Sequence, residues 1–302
     1  MTTVQSTQQI TPTTSKDRSL YVGRKRRQLL RSGTAYLILA LGAITTIIPF
    51  YWMVATSLKS LPEIMQFPPT LFPTELHFEN YILAWRTIPF ATFFKNSAVV
   101  SLCVVLGQLF TCSLAGYAFA RLRFPGRDQI FLLYLSTMMI PFAVIMIPMY
   151  ILMRTFGWID NHLALIAPGL VSVFGTFLMR QFFSTIPKDL EDAARIDGCS
   201  YFKLFRIILL PIAKPALATL GILTFMGTWN DFLWPLIIIS TVGQKTLPLG
   251  LLMFIEQQAI KTPWNLFNAA GVFSIVPILV IFALGQKYYV QGIVTSGLKG
   301  SA

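Results

Sequence analysis

The stretch that decides the fold is PKDLEDAARIDGCSYFKLFRIILLPIAKP, residues 187–215, a polar island between long apolar segments. Its first half predicts a short amphipathic helix. Pro187 suits a first helical turn, where its missing N–H costs nothing. Three acids follow it, Asp189, Glu191 and Asp192, and acidic side chains stabilise a helix N-terminus.

The same stretch predicts a bend and a second helix. Gly198 ends the first helix, and Ser200 can cap a second one, which runs to the break at Leu210-Pro211. Four residues of the first helix recur at spacings of three and four and share a face: Leu190, Ala193, Ala194 and Asp197. We therefore predict two short helices with a bend at Gly198, lying outside the bilayer between two spans.

Two interpretations of this loop remain open from the residues alone. It is either a connector between two membrane helices or a docking surface for a partner. Small residues at Ala193, Ala194 and Gly198 allow another surface to approach closely, and acids and bases alternate beside them.

The order Glu191-Asp192-Ala193-Ala194, then Gly198, then Ile208, Leu210 and Pro211 resembles the cytoplasmic EAA loop of ABC importer permeases. The string AARIDG is similar to the binding-protein-dependent sugar permeases of the maltose type. Asp192 stands where Glu is usual, which keeps the charge. The resemblance implies that the coupling to the ATPase is made by Glu191, Asp192, Ala193, Ala194, Asp197 and Gly198.

The composition indicates a membrane protein. Of 302 residues 55% are hydrophobic and 12% are charged, whereas soluble domains carry about 25% charged residues. A bilayer core needs about 20 helical residues. We predict an all-α protein with six transmembrane helices and the coupling-helix loop between spans four and five. The spans lie near residues 33–57, 97–120, 129–153, 161–184, 212–240 and 270–292. Small residues in span two, including Gly107 and Gly116, favour close helix packing.

The charge distribution predicts the orientation. With the N-terminus inside, 18 of the 24 Lys and Arg residues fall in the N-terminal tail, the loops after spans two and four, and the C-terminal tail. This is the positive-inside bias, and it predicts a multi-pass protein with both termini in the cytoplasm. The resemblance implies that the membrane is the bacterial cytoplasmic (inner) membrane. The net charge of +12 therefore serves topology and contact with membrane lipids rather than nucleic acid. Residues 1–32 are expected to form a cytoplasmic tail and residues 33–302 the transmembrane domain.

Span five contains the most polar cluster at membrane depth, the run GTWNDFLWP of residues 227–235. Trp229 could stack on a sugar ring while Asn230 and Asp231 bind its hydroxyls. The alternative is a structural network at a subunit interface. An acid at this depth should face the bundle interior or a water-filled path.

The sequence has no ATP-binding Gly-x-x-x-x-Gly-Lys-Ser/Thr motif, no paired carboxylates and no nucleophile arrangement. Its three cysteines are too few for a disulfide framework, and we expect no metal site and no catalytic residue. The resemblance implies that ATP and Mg²⁺ are bound by two separate ATPase subunits. It also implies a homologous second permease and an extracytoplasmic solute-binding protein. Two alternatives remain: a secondary transporter driven by an ion gradient, and a membrane scaffold that does not transport.

Overall fold

The computed structural model describes residues 15–256 and 262–297, with side chains described for residues 33–256 and 262–286. Every regular element in these ranges is helical. The chain divides into two units, residues 1–54 and 55–302. Of the expected tail, residues 1–32, positions 1–14 lie outside the described ranges, as do residues 298–302 at the other end.

Within the described ranges the α-helices, in chain order, are α1 Ser15–Ser57, α2 Leu61–Ile64, α3 Glu79–Thr87, α4 Phe90–Arg121, α5 Arg127–Ser136, α6 Phe142–Thr155, α7 Leu163–Gly169, α8 Val173–Thr185, α9 Asp189–Ile196, α10 Tyr201–Leu204, α11 Leu210–Ile212, α12 Lys214–Trp229, α13 Leu233–Ile238, α14 Leu247–Leu251, α15 Met253–Glu256 and α16 Trp264–Gly297. Short 3-10 turns occur at Thr137–Met139 and Val242–Gln244, and a π turn at Phe205–Leu209.

The first unit contributes most of one apolar helix. The stretch Gly33–Ser57 of α1 is 25 residues long and apolar enough to cross a membrane. Its large apolar side chains are exposed along residues 36–54, as with Leu39 at 67%. Such a continuous apolar surface is typical of a helix that meets lipid or another membrane helix.

Four described stretches are long and apolar enough to span a membrane, and two bent helix pairs raise the number to six. The four are Gly33–Ser57, Phe90–Arg121, Leu163–Thr185 and Trp264–Gln286; the pairs are Arg127–Met139 with Phe142–Thr155, and Tyr201–Ile212 with Lys214–Trp229. Two of the predicted boundaries shift, because α4 begins at Phe90 rather than near residue 97 and α16 at Trp264 rather than near 270.

The predicted span 129–153 is not one continuous helix, because α5 and α6 meet at an angle of 99°. Pro141 disfavours helical backbone in the residue before it, and Ile140 is extended, with ψ of 115°. The predicted span 212–240 is also interrupted, because α12 ends at Trp229 and α13 begins at Leu233. A continuous helix would drive the ring of Pro235 against the carbonyl four residues earlier, that of Asp231.

Helix α4 is central to the second unit and packs against α8 and α12. A Cβ atom on Gly116 would lie 2.6 Å from Cβ of Met179, so the two backbones approach more closely than a side chain would allow. Gly175 of α8 approaches α4 in the same way, since its Cβ would lie 2.8 Å from Sγ of Cys112. This confirms the prediction that small residues of span two permit close packing.

The segment between α1 and α4 belongs to the second unit, and hydrogen bonds from α3 hold it in place. The amide nitrogen of Asn80 donates to the carbonyls of Ser57 and Lys59, both at 2.9 Å. Its amide oxygen accepts from Asn265 of α16 at 2.9 Å. Tyr81 adds a 2.8 Å hydrogen bond to the Ser57 hydroxyl. The start of α16, α3 and the end of α1 are therefore held together at the Phe90 end of α4.

Two loops at the same end are held by polar side chains. Asp160 has a left-handed backbone, with φ of 59°. Its Oδ1 accepts from the backbone N–H groups of Ser240 and Thr241, both at 2.9 Å, and its Oδ2 accepts from the Thr241 hydroxyl. Asn96 of α4 donates to two carbonyls of the 243–245 loop, each at 2.9 Å. The loop after α13 is thereby fixed against both α4 and the α6–α7 connection.

Candidate functional site

The polar island forms the bend that the sequence predicts. Helix α9 has its three acids in the first turn and ends at Ile196. Gly198 has φ of +77°, a left-handed conformation that glycine adopts without strain. The N–H of Gly198 donates to the carbonyl of Arg195 at 3.0 Å, and the N–H of Cys199 to that of Ala194 at 2.9 Å. These bonds satisfy the last carbonyls of the helix, as C-terminal glycine motifs do.

The second half of the island starts at the predicted cap. The Ser200 hydroxyl accepts from the N–H of Lys203 and begins α10. Beyond α10 the chain continues as the π turn and α11, and the apolar pair Tyr201–Ile212 and Lys214–Trp229 bends by 76° at Ala213. The guanidinium of Arg195 lies 4.5 Å from the ring centre of Tyr201 and hydrogen-bonds its hydroxyl, which joins the two halves across the bend.

Helix α9 divides the predicted coupling residues between two faces. Asp192, Ala193, Asp197 and Gly198 are exposed, whereas Ala194 is buried and Glu191 is mostly covered. Apolar side chains extend the exposed face, since Leu190 is 44% exposed and Ile196 87%. The exposed face is therefore apolar with acids beside it, a composition suited to docking.

A buried arginine holds the inner face of α9. The Nε of Arg121, the last residue of α4, lies 2.9 Å from Oε1 of Glu191, and the two side chains are 5% and 15% exposed. The same guanidinium donates through Nη2 to the carbonyls of Phe183 and Ile186 at the end of α8. One turn earlier, the hydroxyl of Tyr117 donates to the carbonyl of Tyr201 at 3.4 Å. The last turn of α4 thus contacts both halves of the island.

Burial sets the electrostatics of this junction. Desolvation raises the pKa of Glu191 above its ordinary value, while Arg121 acts in the opposite direction. Asp192 adds to the upward shift of this pKa, and Arg195 and Lys188 reduce it. The Arg121–Glu191 contact is an ion pair rather than an aligned hydrogen bond. Removing either partner would leave a poorly solvated charge, which is costly.

A second candidate site lies at the break between α7 and α8. The carbonyls freed at residues 169–170 are bound by α4: Gln108 donates to that of Gly169 at 2.8 Å, and Thr111 to that of Leu170 at 2.6 Å. The Thr224 hydroxyl of α12 donates to the amide oxygen of Gln108 at 2.8 Å. Backbone freed at membrane depth has to be satisfied by neighbouring side chains, and α4 supplies them here.

A cavity of about 510 Å³ opens beside this network. Its walls are mostly apolar, including Val104, Phe142 and Trp234, with polar groups from Gln108, Ser172, Thr224, Thr228 and Asp231. Asp231 stands in the interruption between α12 and α13. An apolar cavity with a few converging polar groups is the usual form of a small-molecule site.

Of the three residues predicted for the substrate path, Asp231 alone lines this cavity. The Trp229 side chain is 2% exposed, is stacked on Phe225 at 5.2 Å, and donates from Nε1 to the carbonyl of Ser274 at 3.0 Å. Asn230 is exposed and donates to the carbonyl of Met226 in its own helix. In this conformation neither side chain lines the cavity.

Sequence reasoning missed Arg121 and Gln108. The position of each residue could have identified it as a candidate. Arg121 is a charged residue at the end of an apolar span, and Gln108 is an uncharged polar residue inside one. Within residues 33–256 and 262–286, whose side chains the structure describes, no three His, Cys, Asp or Glu side chains come together as metal ligands would.

The chain is similar to known transport proteins over most of its length. Residues 112–295 match the family model described as the binding-protein-dependent transport system inner membrane component. The arabinooligosaccharides transport system permease protein AraQ of Halalkalibacterium halodurans is 34% identical over 275 residues, covering 90% of this chain and 96% of that protein. The sn-glycerol-3-phosphate transport system permease protein UgpE of Brucella abortus is 32% identical over 266 residues, covering 86% and 94%.

The fold has a close counterpart among solved structures. A crystal structure of a bacterial ABC transporter involved in the import of the acidic polysaccharide alginate contains a chain that matches with a TM-score of 0.77 and 23% identity. The match covers 92% of this chain and 100% of that chain. The resemblance seen in the EAA-like loop thus extends over nearly the whole length, and the chain belongs to the inner-membrane components of binding-protein-dependent transport systems.

Proposed function

We propose that this chain is one transmembrane permease subunit of an ATP-driven importer for a carbohydrate or polyol-type solute. The observation that carries the proposal is α9: an exposed, partly apolar helix face held on the bundle by a buried ion pair. The relatives named for arabinooligosaccharide and glycerol phosphate transport support the solute class.

The proposed complex contains a homologous second permease, two ATPase subunits that bind ATP and Mg²⁺, and an extracytoplasmic solute-binding protein. With six spans both termini lie on the same side of the membrane, and the bias of Lys and Arg supports the cytoplasmic side for them and for the island of residues 187–215. The face formed by Leu190, Ala193 and Ile196 would then meet the ATPase subunits. No residue of this chain acts in ATP hydrolysis.

The proposed mechanism couples the two candidate sites. Closure of the ATPase dimer displaces α9, and the bundle changes between inward-facing and outward-facing states. The cavity beside Gln108 and Asp231 belongs to the solute path, where hydroxyl groups can bond to the amide and the carboxylate. A conformational change of this kind requires differential binding of ATP to the two states.

Co-purification tests the assembly. The tagged chain, extracted in mild detergent, should bring with it a second permease and an ATPase subunit, and the complex should hydrolyse ATP. The variant Ile196→Asp places a charge on the exposed face of α9. It should lose the ATPase subunit on purification and retain the second permease, which serves as the internal control. A chain that purifies alone, without ATPase activity, would contradict the proposal and favour the ion-driven transporter or the scaffold.

A further inference from the structure

Arg121 adds a side-chain donor at the end of α8, where the carbonyl of Phe183 also accepts from the N–H of Ile186 at 3.2 Å. In a continuing helix the carbonyl of Phe183 would accept from the N–H four residues later, but that residue is Pro187, which has no N–H. The Nη2 of Arg121 donates to this carbonyl and to that of Ile186. The C-terminal end of a helix dipole also favours a cation at this position.

The same side chain contacts the start of α9. Glu191 is in the first turn of that helix, where an acid is favoured, and its Oε1 lies 2.9 Å from Nε of Arg121. Among the described residues, neither of these two buried atoms makes a hydrogen bond elsewhere. One guanidinium group therefore joins three elements: the end of α4, the end of α8 and the start of α9.

Two of the elements that Arg121 joins, α4 and α8, also contribute residues to the lining of the cavity. Gly116 brings the backbone of α4 against Met179 of α8 without an intervening side chain, so the two helices have little room to slide. Farther along, α4 contributes Gln108 to the cavity and α8 contributes Phe174. A displacement of α9 passed through Arg121 therefore reaches two of the helices that line this cavity.

We propose that Arg121 is the positioning residue that converts movement of α9 into movement of α4 and α8, with Glu191 acting as its partner inside the permease rather than as a surface contact. This inference rests on the proposed function. Arg121 binds no solute and no nucleotide, and acts through the position of α9.

The test uses the complete complex in proteoliposomes and measures solute transported per ATP hydrolysed. Arg121→Gln and Glu191→Gln should each lower this ratio by about 2- to 30-fold. The double variant should lose no more than the worse single variant, because both substitutions break one contact. Arg123→Gln removes an exposed arginine two residues away and should leave the ratio unchanged.

Exchanging the charges of Arg121 and Glu191 separates the loss of the ion pair from the loss of the hydrogen bonds to α8. Arg121→Glu with Glu191→Arg restores an ion pair but places a carboxylate against the carbonyls of Phe183 and Ile186, so the ratio should stay low. Recovery of the wild-type ratio in the swap would overturn the proposal that Arg121 must also hold α8.

Wild-type ratios in both single variants, or losses that multiply in the double variant, would overturn the inference. If the complex with Arg121→Gln does not assemble, Arg121→Lys and Glu191→Gln are measured instead. Wild-type ratios of solute to ATP in both of these variants would count against the inference. Absence of ATP-dependent uptake by the wild-type complex would instead overturn the proposed function, which distinguishes the two failures.

Discussion

Ala193 and Ala194 are neighbours in the chain, yet they differ in burial: Ala193 is exposed, and Ala194 is 8% exposed and packed in the buried cluster with Phe183 and Leu204. The two small residues of the EAA-like string therefore have different roles. Ala194 allows α9 to lie close to the bundle, and we propose that Ala193 keeps the outer face shallow for a partner.

This difference predicts opposite results for the same substitution. Ala193→Leu should leave the thermal stability of the isolated chain unchanged and weaken its binding to the ATPase subunit. Ala194→Leu should destabilise the chain by about 1–3 kcal/mol, because the larger side chain does not fit the core. Melting in detergent and co-purification of the ATPase subunit give the two readouts. Equal loss of stability in both variants would contradict the assignment of faces.

Gly198 gives a prediction about coupling. Its φ of +77° is unfavourable for any other residue, although the space around its Cβ is open. Gly198→Val should therefore alter the bend at a cost of about 1–2 kcal/mol and lower uptake, while the chain is still inserted in the membrane. Gly42→Val is the control, because Gly42 is helical and equally open. Full uptake by a well-expressed Gly198→Val variant would refute the prediction.

Gly116 gives a prediction about packing. An added Cβ would lie 2.6 Å from Cβ of Met179, so Gly116→Ala must separate α4 from α8 and should cost about 1–3 kcal/mol. Gly221→Ala is the matched control in α12, since its Cβ would meet Leu109 at an ordinary 3.9 Å. The melting temperature in detergent should fall for the first variant alone, and an equal fall in both would count against the close approach.

The cavity predicts a role for Asp231 in solute binding. Asp231→Asn keeps the shape of the cavity and removes the charge, and should raise the KM for solute about 10-fold or more if the carboxylate binds hydroxyl groups. Thr155→Val is the control, since its hydroxyl bonds within its own helix and lies outside the cavity lining. An unchanged KM in Asp231→Asn would show that the carboxylate is structural.

Asp160 predicts a dependence of stability on pH. Its pKa is lowered, first by the Thr241 hydroxyl and then by the backbone N–H groups of Thr241 and Ser240. A lowered folded-state pKa contributes stability above the ordinary value of 3.8, and that contribution is lost as the pH falls through the folded-state pKa. The melting temperature of Asp160→Asn should therefore lie below that of the wild type at pH 7, and the difference should shrink toward pH 3.

Asn at position 160 still tolerates the left-handed backbone, so this comparison removes the charge without straining the backbone. Glu75→Gln, which removes an exposed carboxylate, serves as the matched control. A difference between the wild type and Asp160→Asn that is the same at both pH values would contradict the assignment.

Local features were readable from the sequence. The bend at Gly198 and the cap at Ser200 follow from the backbone preferences of these residues, and both are confirmed. The all-helical class follows from the long apolar runs. Each of these properties is set by residues a few positions apart, which is the range that propensity and periodicity cover.

Features that depend on contacts between residues far apart in the chain could not be predicted from the sequence. Arg121 and Glu191 are far apart in sequence, and nothing in their spacing indicates that they meet. The interruption between α7 and α8 is stable because Gln108 and Thr111 of another helix bind its carbonyls. The 99° angle between α5 and α6 exceeds what Pro141 alone would predict, since proline also occurs inside helices here, as at Pro148 in α6.

The measurement that tests the central claim most directly is uptake into proteoliposomes that contain the purified complex and the solute-binding protein. Arabinooligosaccharides and glycerol 3-phosphate, taken from the names of the relatives, are the first solutes to offer. We predict uptake that requires ATP on the side of α9, persists when ionophores abolish ion gradients, and stops when the ATPase subunit is inactivated. Uptake that continues without ATP and collapses with the ion gradient would contradict the account.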